Sequence, residues 1–159
     1  MTTVVVQAHP VEDSFNGALL ERVRGGLEQS GDPFDVFQIA RGHRPGVADL
    51  NGADRLVLVY PTWWGGQPAM LLAWIQDMLS QPESLADVRR LVAVTSLGSS
   101  QLLNRIQGEW GRDNLSRRVL AACCAGATFE WMPFYKIDRQ SQTAIDAHLT
   151  KIESAFAQD

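Results

Sequence analysis

The sequence lacks the features that mark several common classes of protein. Its 159 residues include only two cysteines, which are adjacent and therefore provide neither a disulfide framework nor a complete zinc site. No apolar run approaches the ~20 residues that a membrane-spanning helix needs. The N-terminal segment has neither the basic residues nor the long apolar stretch of a signal peptide. We therefore expect a protein of the cytoplasm with no membrane span.

Charge and motif content exclude further classes. The net charge of −4 argues against nucleic acid or an anionic membrane as a partner. The glycine-rich fingerprint of a Rossmann dinucleotide site is missing. Cys123 and Cys124 are predicted to pack as small apolar groups near a helix end. The length and the hydrophobic content of 45% are ordinary for one globular domain, which we assign to residues 1–159.

The most informative stretch runs from a predicted strand through a tryptophan pair into a helix. The apolar run Leu56–Tyr60 predicts a strand buried on both faces, and Pro61 is expected to end it. Two tryptophans and two glycines follow, and Pro68 suits the first turn of a helix. Trp63 and Trp64 could be core aromatics, but neighbours beside two glycines cannot both point into one core. Open α/β sheets bind ligands in such loops.

The rest of the chain alternates between predicted strands and helices. The other predicted strands are Thr3–Ala8, Phe34–Ile39, Arg90–Ser96 and Thr128–Phe134. We expect residues 41–52 to hold at most one short helical turn, and residues 81–83 to end the third helix. Residues 111–114 are predicted to interrupt the helix after the fourth strand. The alternation predicts an α/β fold, in which a five-stranded parallel sheet of order 2-1-3-4-5 carries helices on both faces.

The first of three candidate loops combines polar side chains with a predicted helix start. Asp13 or Ser14 can cap this helix, and free backbone N–H groups at a helix start bind phosphate well. His9 and Asn16 lie beside the same helix start. The competing interpretation is a plain N-cap with His9 and Asn16 as turn residues.

The predicted strand order brings three loops together. Strands one, three and four are neighbours in the order 2-1-3-4-5, and their carboxyl ends lie at one edge of the sheet. The loops at residues 9–16, 61–66 and 95–100 should therefore converge on one crevice. Their agreement favours a ligand site over the separate structural explanations of each loop.

Two motifs in this order are similar to those of a known family. The first is Ala8-His9-Pro10 followed by Ser14-Phe15-Asn16-Gly17, and the second is Tyr60-Pro61-Thr62-Trp63-Trp64 followed by Pro68-Ala69. Together they resemble the flavodoxin-like NAD(P)H:quinone oxidoreductases of the DT-diaphorase and modulator-of-drug-activity type, over nearly the whole chain. The resemblance implies a flavodoxin-like fold, bound FMN, NAD(P)H as the reductant, a quinone-like acceptor and a homodimer.

The resemblance also implies roles for individual residues. Four would hold the flavin phosphate: His9, Ser14, Phe15 and Asn16. Five would line the isoalloxazine edge: Pro61, Thr62, Trp63, Trp64 and Gly65. Four would face the pyrimidine end of the ring: Thr95, Gly98, Ser99 and Ser100. It identifies no catalytic residue, and no metal site is expected.

The chain departs from the family pattern at several positions. Leu72 stands where a lysine is usual, Gln76-Asp77 where an acidic-basic pair is usual, and Gly98 is the only glycine of its loop. The short segments after Ile39 and Leu79 favour FMN, with FAD as the open alternative. A flavodoxin-fold regulatory or ancillary subunit that binds flavin without turnover is the competing function. A flavodoxin-type electron carrier is disfavoured because the first loop has His-Pro in place of a hydroxyl-rich sequence.

The third predicted helix gives an expectation about assembly. Leu71, Trp74, Ile75 and Met78, together with the apolar residues beside them, span more than one stripe of the helix and are expected not to face one sheet together. Since a wide apolar face marks an interface, we predict a homodimer in which Pro68–Met78 is partly buried.

Overall fold

The computed structural model describes residues 1–11, 13–81 and 83–158. Pro82, part of the predicted end of the third helix, lies outside the described residues, as do Glu12 and Asp159. The strands are β1 Thr3–Gln7, β2 Phe34–Gln38, β3 Arg55–Thr62, β4 Arg90–Leu97 and β5 Thr128–Tyr135. The α-helices are α1 Phe15–Ser30, α2 Val47–Leu50, α3 Ala69–Leu79, α4 Gln101–Ile106, α5 Trp110–Asp113 and α6 Gln142–Ala157. A π-helical segment, Asn114–Val119, and a 3-10 turn, Leu120–Ala122, continue α5. Two further 3-10 turns are Ile39–Arg41 and Ile137–Arg139.

The five strands form one parallel sheet of order β2-β1-β3-β4-β5, which confirms the predicted topology. β3 lies at its centre, and Leu56 to Tyr60 are completely buried, as predicted for a strand covered on both faces. One face packs against α3 and the helical segment after α5, and the other against α1 and α6. The carboxyl ends of β1, β3 and β4 therefore lie side by side.

β3 continues past Pro61, so the prediction that this proline ends the strand is wrong. Pro61 pairs in register with Ser96 of β4, and β3 ends at Thr62. Val59 directs its carbonyl toward β1, where it accepts from the Ala8 N–H, and Pro61, two residues on, faces the same side. Because β1 has already ended at Gln7, a proline here costs no ladder hydrogen bond. The other predicted strand ends lie within one residue of the observed ones.

The helix after β4 breaks earlier than predicted. Gly108 and Glu109 have left-handed backbones, with φ of 90° and 42°, so the break falls between α4 and α5. Residues 111–114, predicted as the interruption, are helical, and Gly111 is a contact point of the helix. Its N–H donates to the Gly65 carbonyl, and a Cβ on Gly111 would lie only 3.1 Å from Gly66 Cα.

Helix α3 buries four of its apolar residues within one chain. Leu71, Trp74, Ile75 and Met78 are each at most 4% exposed, whereas Met70, Leu72 and Leu79 are half-buried. The sequence-based expectation that these four would form a wide apolar face for a partner is therefore wrong. The residues after β2 explain part of this burial, because the Trp74 indole N–H donates to the Pro45 carbonyl at 2.8 Å and this segment lies against the helix. Residues 41–52 contain only the four-residue α2, as predicted.

The adjacent cysteines are free thiols that follow the turn ending at Ala122. Cys123 packs against the core and donates to the Val119 carbonyl. Burial first, and the neighbouring Cys124 second, raise the pKa of the Cys123 thiol to about 11. The thiol is therefore protonated at neutral pH, in agreement with its predicted role as a small apolar group.

Helices α1 and α6 meet at a glycine. A Cβ on Gly26 would lie 2.4 Å from the Glu153 carbonyl oxygen and 2.7 Å from Phe156 Cβ, whereas one on Gly25 would first meet the flexible Glu153 carboxylate at 3.4 Å. We expect Gly26→Ala to lower the free energy of unfolding by about 1–3 kcal/mol through overpacking, despite the better helix propensity of alanine. Urea titration followed by circular dichroism measures this change.

Gly25→Ala is the matched control for this prediction. The same gain in helix propensity, up to about 1 kcal/mol, should appear there without the clash. Equal effects of the two substitutions would contradict the assignment of Gly26 as the contact point between the helices.

Candidate functional site

A cleft of about 590 Å³ opens at the carboxyl edge of the sheet, beyond β3 and β4. Seven residues predicted from the sequence line it: Pro61, Thr62, Trp63, Trp64, Gly65, Gly98 and Ser99. Eight lining residues were not predicted: Ser96, Leu103, Asn104, Gln107, Glu109, Trp110, Ile137 and Asp138. The cleft is thus formed by the tryptophan loop, the β4 loop, the α4–α5 region and the turn after β5.

The tryptophan loop is a tight turn closed at both ends. The Trp63 and Gly66 backbones exchange two hydrogen bonds of 3.0 Å, and Trp64 and Gly65 between them have φ of 54° and 79°. Positive φ at both central residues is typical of a type I′ turn. A left-handed backbone costs a residue with a side chain roughly 1–2 kcal/mol. In this turn Trp64 is fully exposed and Trp63 is 43% exposed, so neither is a core aromatic.

Helix α5 holds this turn in place. Gly111 at its start donates to the Gly65 carbonyl at 2.9 Å, and the Gln67 side chain donates to the Gly111 carbonyl at 2.7 Å. The Trp110 ring lies on Gly66, where any Cβ would come within 2.2 Å of the indole. Glycine at positions 66 and 111 is therefore required for the close approach of helix and turn.

A buried tyrosine lies beneath the turn. Tyr60 is fully buried, and its hydroxyl accepts from Gln67 Nε2 at 3.4 Å. Burial raises the pKa of the Tyr60 phenol well above its ordinary range, and the Gln67 hydrogen bond opposes this only in part. The phenol therefore stays neutral and acts as a structural support for Gln67.

The β4 loop contributes the floor of the cleft. Thr95 is fully buried below it, and its hydroxyl lies 2.8 Å from that of Thr62, which joins the ends of β3 and β4. Gly98 lies in the floor itself, close to Asp138 from the turn after β5. A Cβ on Gly98 would lie 3.2 Å from Asp138 Oδ2, so a side chain here would require the carboxylate to shift by a few tenths of an ångström.

Ser99 and Ser100 are engaged by α4. The Asn104 side chain donates to Ser99 Oγ at 2.7 Å, and Ser100 caps the helix by accepting from the Leu103 N–H at 3.2 Å. Ser99 lines the cleft, whereas the Ser100 hydroxyl serves the helix. Asn104 is only 5% exposed, and it fixes the position of the loop relative to the helix.

The first loop is a capped helix start. Ser14 Oγ accepts from the Gly17 N–H at 3.1 Å, donates to the Val11 carbonyl at 2.8 Å and lies 3.2 Å from His9 Nδ1. Ser14 is therefore the N-cap of α1, one of the two candidates that the sequence offered. The backbone N–H groups that follow it have no partner within the helix and can donate hydrogen bonds to an anion.

Two predicted phosphate residues turn their side chains away from this helix start. Phe15 stacks on Phe134 of β5 with ring centroids 5.2 Å apart. Asn16 is 5% exposed, and its amide donates to Ser96 Oγ at 3.1 Å. For a phosphate at this position, Phe15 and Asn16 could therefore offer their backbone N–H groups only.

The three loops converge as predicted. The Asn16–Ser96 bond joins the first loop to β4, the Thr62–Thr95 contact joins β3 to β4, and the His9 and Trp63 rings lie 6.0 Å apart. In the described part of the chain, the first loop lies beside the cleft, and its four predicted residues do not line the 590 Å³ volume. The arrangement is a helix start next to an aromatic cleft.

The lining residues that were not predicted come from elements to which the sequence assigned no role in the site. Leu103 and Trp110 belong to the helical region after β4. They are 44% and 52% exposed, and so turn toward the cleft. Ile137 and Asp138 follow the carboxyl end of β5, at the same edge of the sheet as the predicted loops. Their position directly after a predicted strand was the signal in the sequence that could have identified them.

The described residues contain neither a candidate membrane-spanning helix nor a candidate metal-binding cluster. No helix there is both long and apolar enough to cross a membrane. No group of three or more His, Cys, Asp or Glu side chains there is arranged to hold a metal ion.

Comparison with known proteins identifies the fold. The chain is similar to the NAD(P)H:quinone oxidoreductase from Methanothermobacter marburgensis, with 19% identity, coverage of 99% of this chain and 95% of that chain, and a TM-score of 0.82. Smu.1420 from Streptococcus mutans UA159 has 18% identity, coverage of 100% of both chains and a TM-score of 0.82. An FMN-dependent NADH-azoreductase from Bacillus anthracis str. Ames Ancestor, solved in complex with FMN, has 10% identity, coverage of 99% and 98%, and a TM-score of 0.77. No curated protein matches the sequence. The model of the flavodoxin-like fold family matches residues 1–156, and the chain belongs to that family.

Proposed function

We propose that this protein is an FMN-dependent oxidoreductase that takes hydride from NAD(P)H and reduces quinones or similar acceptors. The observation that carries the proposal is the aromatic cleft beside a capped helix start, at the carboxyl edge of a parallel sheet. The names of similar structures support it, since they include a quinone oxidoreductase and an azoreductase that holds FMN. A flavin supplies the hydride chemistry when bound, while the protein supplies binding and orientation.

The helix start fits the phosphate of FMN. The Ser14 hydroxyl can turn its one O–H from the Val11 carbonyl to a phosphate, His9 lies 3.2 Å from it, and the first N–H groups of α1 carry partial positive charge. The side chains of Phe15 and Asn16 have other partners, so the proposal assigns these residues backbone contacts only.

The cleft fits a flat ring system. Trp63 and Trp110 provide apolar walls, and Gly98 leaves the floor free of a side chain. Ring systems bind in such mostly apolar clefts, oriented by a few polar groups. The β4 loop can offer backbone N–H groups near Gly98 and Ser99 to charge that develops on the ring during reduction.

The structure favours FMN over FAD for a reason of space. The segment after β2 packs on α3 through the Trp74–Pro45 hydrogen bond and an ion pair between Arg44 and Asp77. This segment has only twelve residues, 41–52, and its Arg44 and Pro45 contact the chain's own helix. Little protein is left to cover the adenosine half of FAD.

An anaerobic titration tests the proposal. The purified protein should be yellow, and chromatography of the cofactor released by heat should identify FMN. Adding NADH or NADPH should bleach the flavin absorbance, and adding a quinone should restore it. A protein that binds FMN but is never bleached would be the regulatory or ancillary subunit considered above, and the oxidoreductase proposal would fail.

A substitution at the helix start tests the phosphate position. Ser14→Ala removes a hydroxyl that can bond to a charged group, an interaction worth roughly 1.5–3 kcal/mol, so FMN should bind at least about tenfold more weakly. Fluorescence titration of FMN measures the change. Ser141→Ala is the control, because Ser141 caps α6 by the same bond to the Ala144 N–H.

Both serine substitutions should lower the free energy of unfolding by about 1 kcal/mol through loss of the cap. Only Ser14→Ala should change FMN affinity. If the two variants bind FMN equally well, the phosphate does not lie at the start of α1.

We also propose a homodimer, on a surface other than the one expected from sequence. Large exposed apolar side chains of the described chain concentrate around the mouth of the cleft: Trp63, Trp64, Leu102, Leu103, Ile106 and Trp110. We call this set the cleft-rim patch. Leu102 and Ile106, at 69% and 74% exposure, lie one turn apart on α4, next to the face that lines the cleft. Burial of such a patch against a second copy would close the cleft to water.

Sedimentation velocity at micromolar concentration tests the dimer. The protein should sediment as a dimer, and Ile106→Asp should shift it to monomer because a charge would enter the apolar contact. Ala147→Glu, at an exposed position of α6, should leave the dimer intact. A wild-type monomer that retains flavin and oxidises NAD(P)H would contradict the role assigned to the patch.

A further inference from the structure

The charged groups in the cleft are few and of one sign. Among the described residues that line it, the only charged side chains are Glu109 and Asp138, and both are acidic. Every other described lining residue is apolar, a hydroxyl, an amide or glycine. The electrostatic character of the cleft therefore depends on how well each carboxylate is neutralised.

Glu109 is neutralised by a neighbour. Its carboxylate accepts from Arg112 Nη1 at 3.0 Å, with the Glu109 side chain 18% exposed. This pair lies within one helical turn of α5 and carries no net charge. Glu109 therefore adds little to the field in the cleft.

Asp138 is the unbalanced charge. Its Oδ2 lies above the Gly98 floor, 3.2 Å from where a Cβ would be, and its carboxylate has no ion-pair partner among the described residues. Lys136 and Arg139 flank it in sequence, and all three side chains are exposed, but only Asp138 is among the described lining residues. Arg105 of α4 is likewise exposed and outside the described lining.

We infer that Asp138 makes this cleft select uncharged aromatic acceptors and reject acceptors that carry a sulfonate or carboxylate. The inference rests on the proposed oxidoreductase function. Trp63, Trp110 and Asp138 line the same cleft, so an acceptor ring bound there brings an anionic substituent near the Asp138 carboxylate. Asp138 is exposed, so two like charges there repel through water, modestly at low ionic strength and less in high salt. None of the described residues that line the cleft carries a positive charge that would offset this repulsion.

A pair of matched acceptors tests the inference on the FMN-loaded enzyme. The probes are 1,2-naphthoquinone and the same ring with a 4-sulfonate. The quantity measured is the ratio of kcat/KM for the neutral quinone to that for the sulfonate. Asp138→Asn should lower this ratio about threefold at low ionic strength, because it removes the charge of an exposed carboxylate and keeps the shape. Comparing the ratio between variants cancels the intrinsic difference in reactivity between the two quinones.

Asp35→Asn is the control. Asp35 is an exposed residue of β2, at the edge of the sheet away from the cleft, and its substitution makes the same change in net charge. The ratio should stay unchanged in this variant. A salt titration of the wild-type enzyme needs no substitution, and the ratio should fall as ionic strength rises.

A second readout does not require turnover. Quinone binding to the oxidised enzyme should quench the fluorescence of Trp63, Trp64 and Trp110, and the sulfonate should bind about threefold more weakly in wild type than in Asp138→Asn. Equal effects of Asp138→Asn and Asp35→Asn, or a ratio independent of salt, would overturn the inference. Charge selection in binding without any NAD(P)H oxidation would instead refute the oxidoreductase function and leave the selection by Asp138 standing.

Discussion

The close approach of α5 to the tryptophan turn is the contact on which the cleft depends. It is made by backbone groups of Gly65 and Gly111, and Trp110 lies against Gly66 at a distance that no side chain would allow. One wall of the cleft, the α5 side, is thereby fixed to the carboxyl end of β3. The floor of the cleft, from the β4 loop, is fixed by the Thr62–Thr95 contact and by Asn104. A rigid sheet edge thus positions loops that would otherwise vary in conformation.

The sequence was sufficient to predict the architecture, because alternating strand and helix patterns leave few arrangements for a parallel sheet. Its errors concern local context. Pro61 was interpreted as the end of a strand. The pattern does not reveal that β1 ends before it reaches the position opposite Pro61, so that this side of β3 needs no hydrogen bond there. The apolar residues of α3 were taken for an interface because the segment that covers Trp74 comes from a distant part of the chain.

The candidate site was only partly predictable for a related reason. Residues that follow a strand can be placed at the sheet edge from their position alone, and the tryptophan loop and Gly98 line the cleft as expected. Side-chain direction cannot be read in this way. Asn16 and Phe15 stand at a helix start, yet both turn inward, toward Ser96 and Phe134. Asp138 lies close to Gly98 in the cleft, and neither residue reveals this proximity from its place in the sequence.

Trp64 joins the geometry of the turn to the question of assembly. Its left-handed backbone, with φ of 54°, is uncommon for a bulky residue, and its side chain makes no packing contact that would offset the cost within one chain, since it is fully exposed. The turn is stable because its closing hydrogen bonds and the α5 contact determine its shape. The strained conformation therefore serves to project an indole outward beside Trp63, at the mouth of the cleft. A large apolar side chain held there by the backbone belongs against a ligand or a second protein surface, and the homodimer proposed for this edge of the sheet uses it in that way.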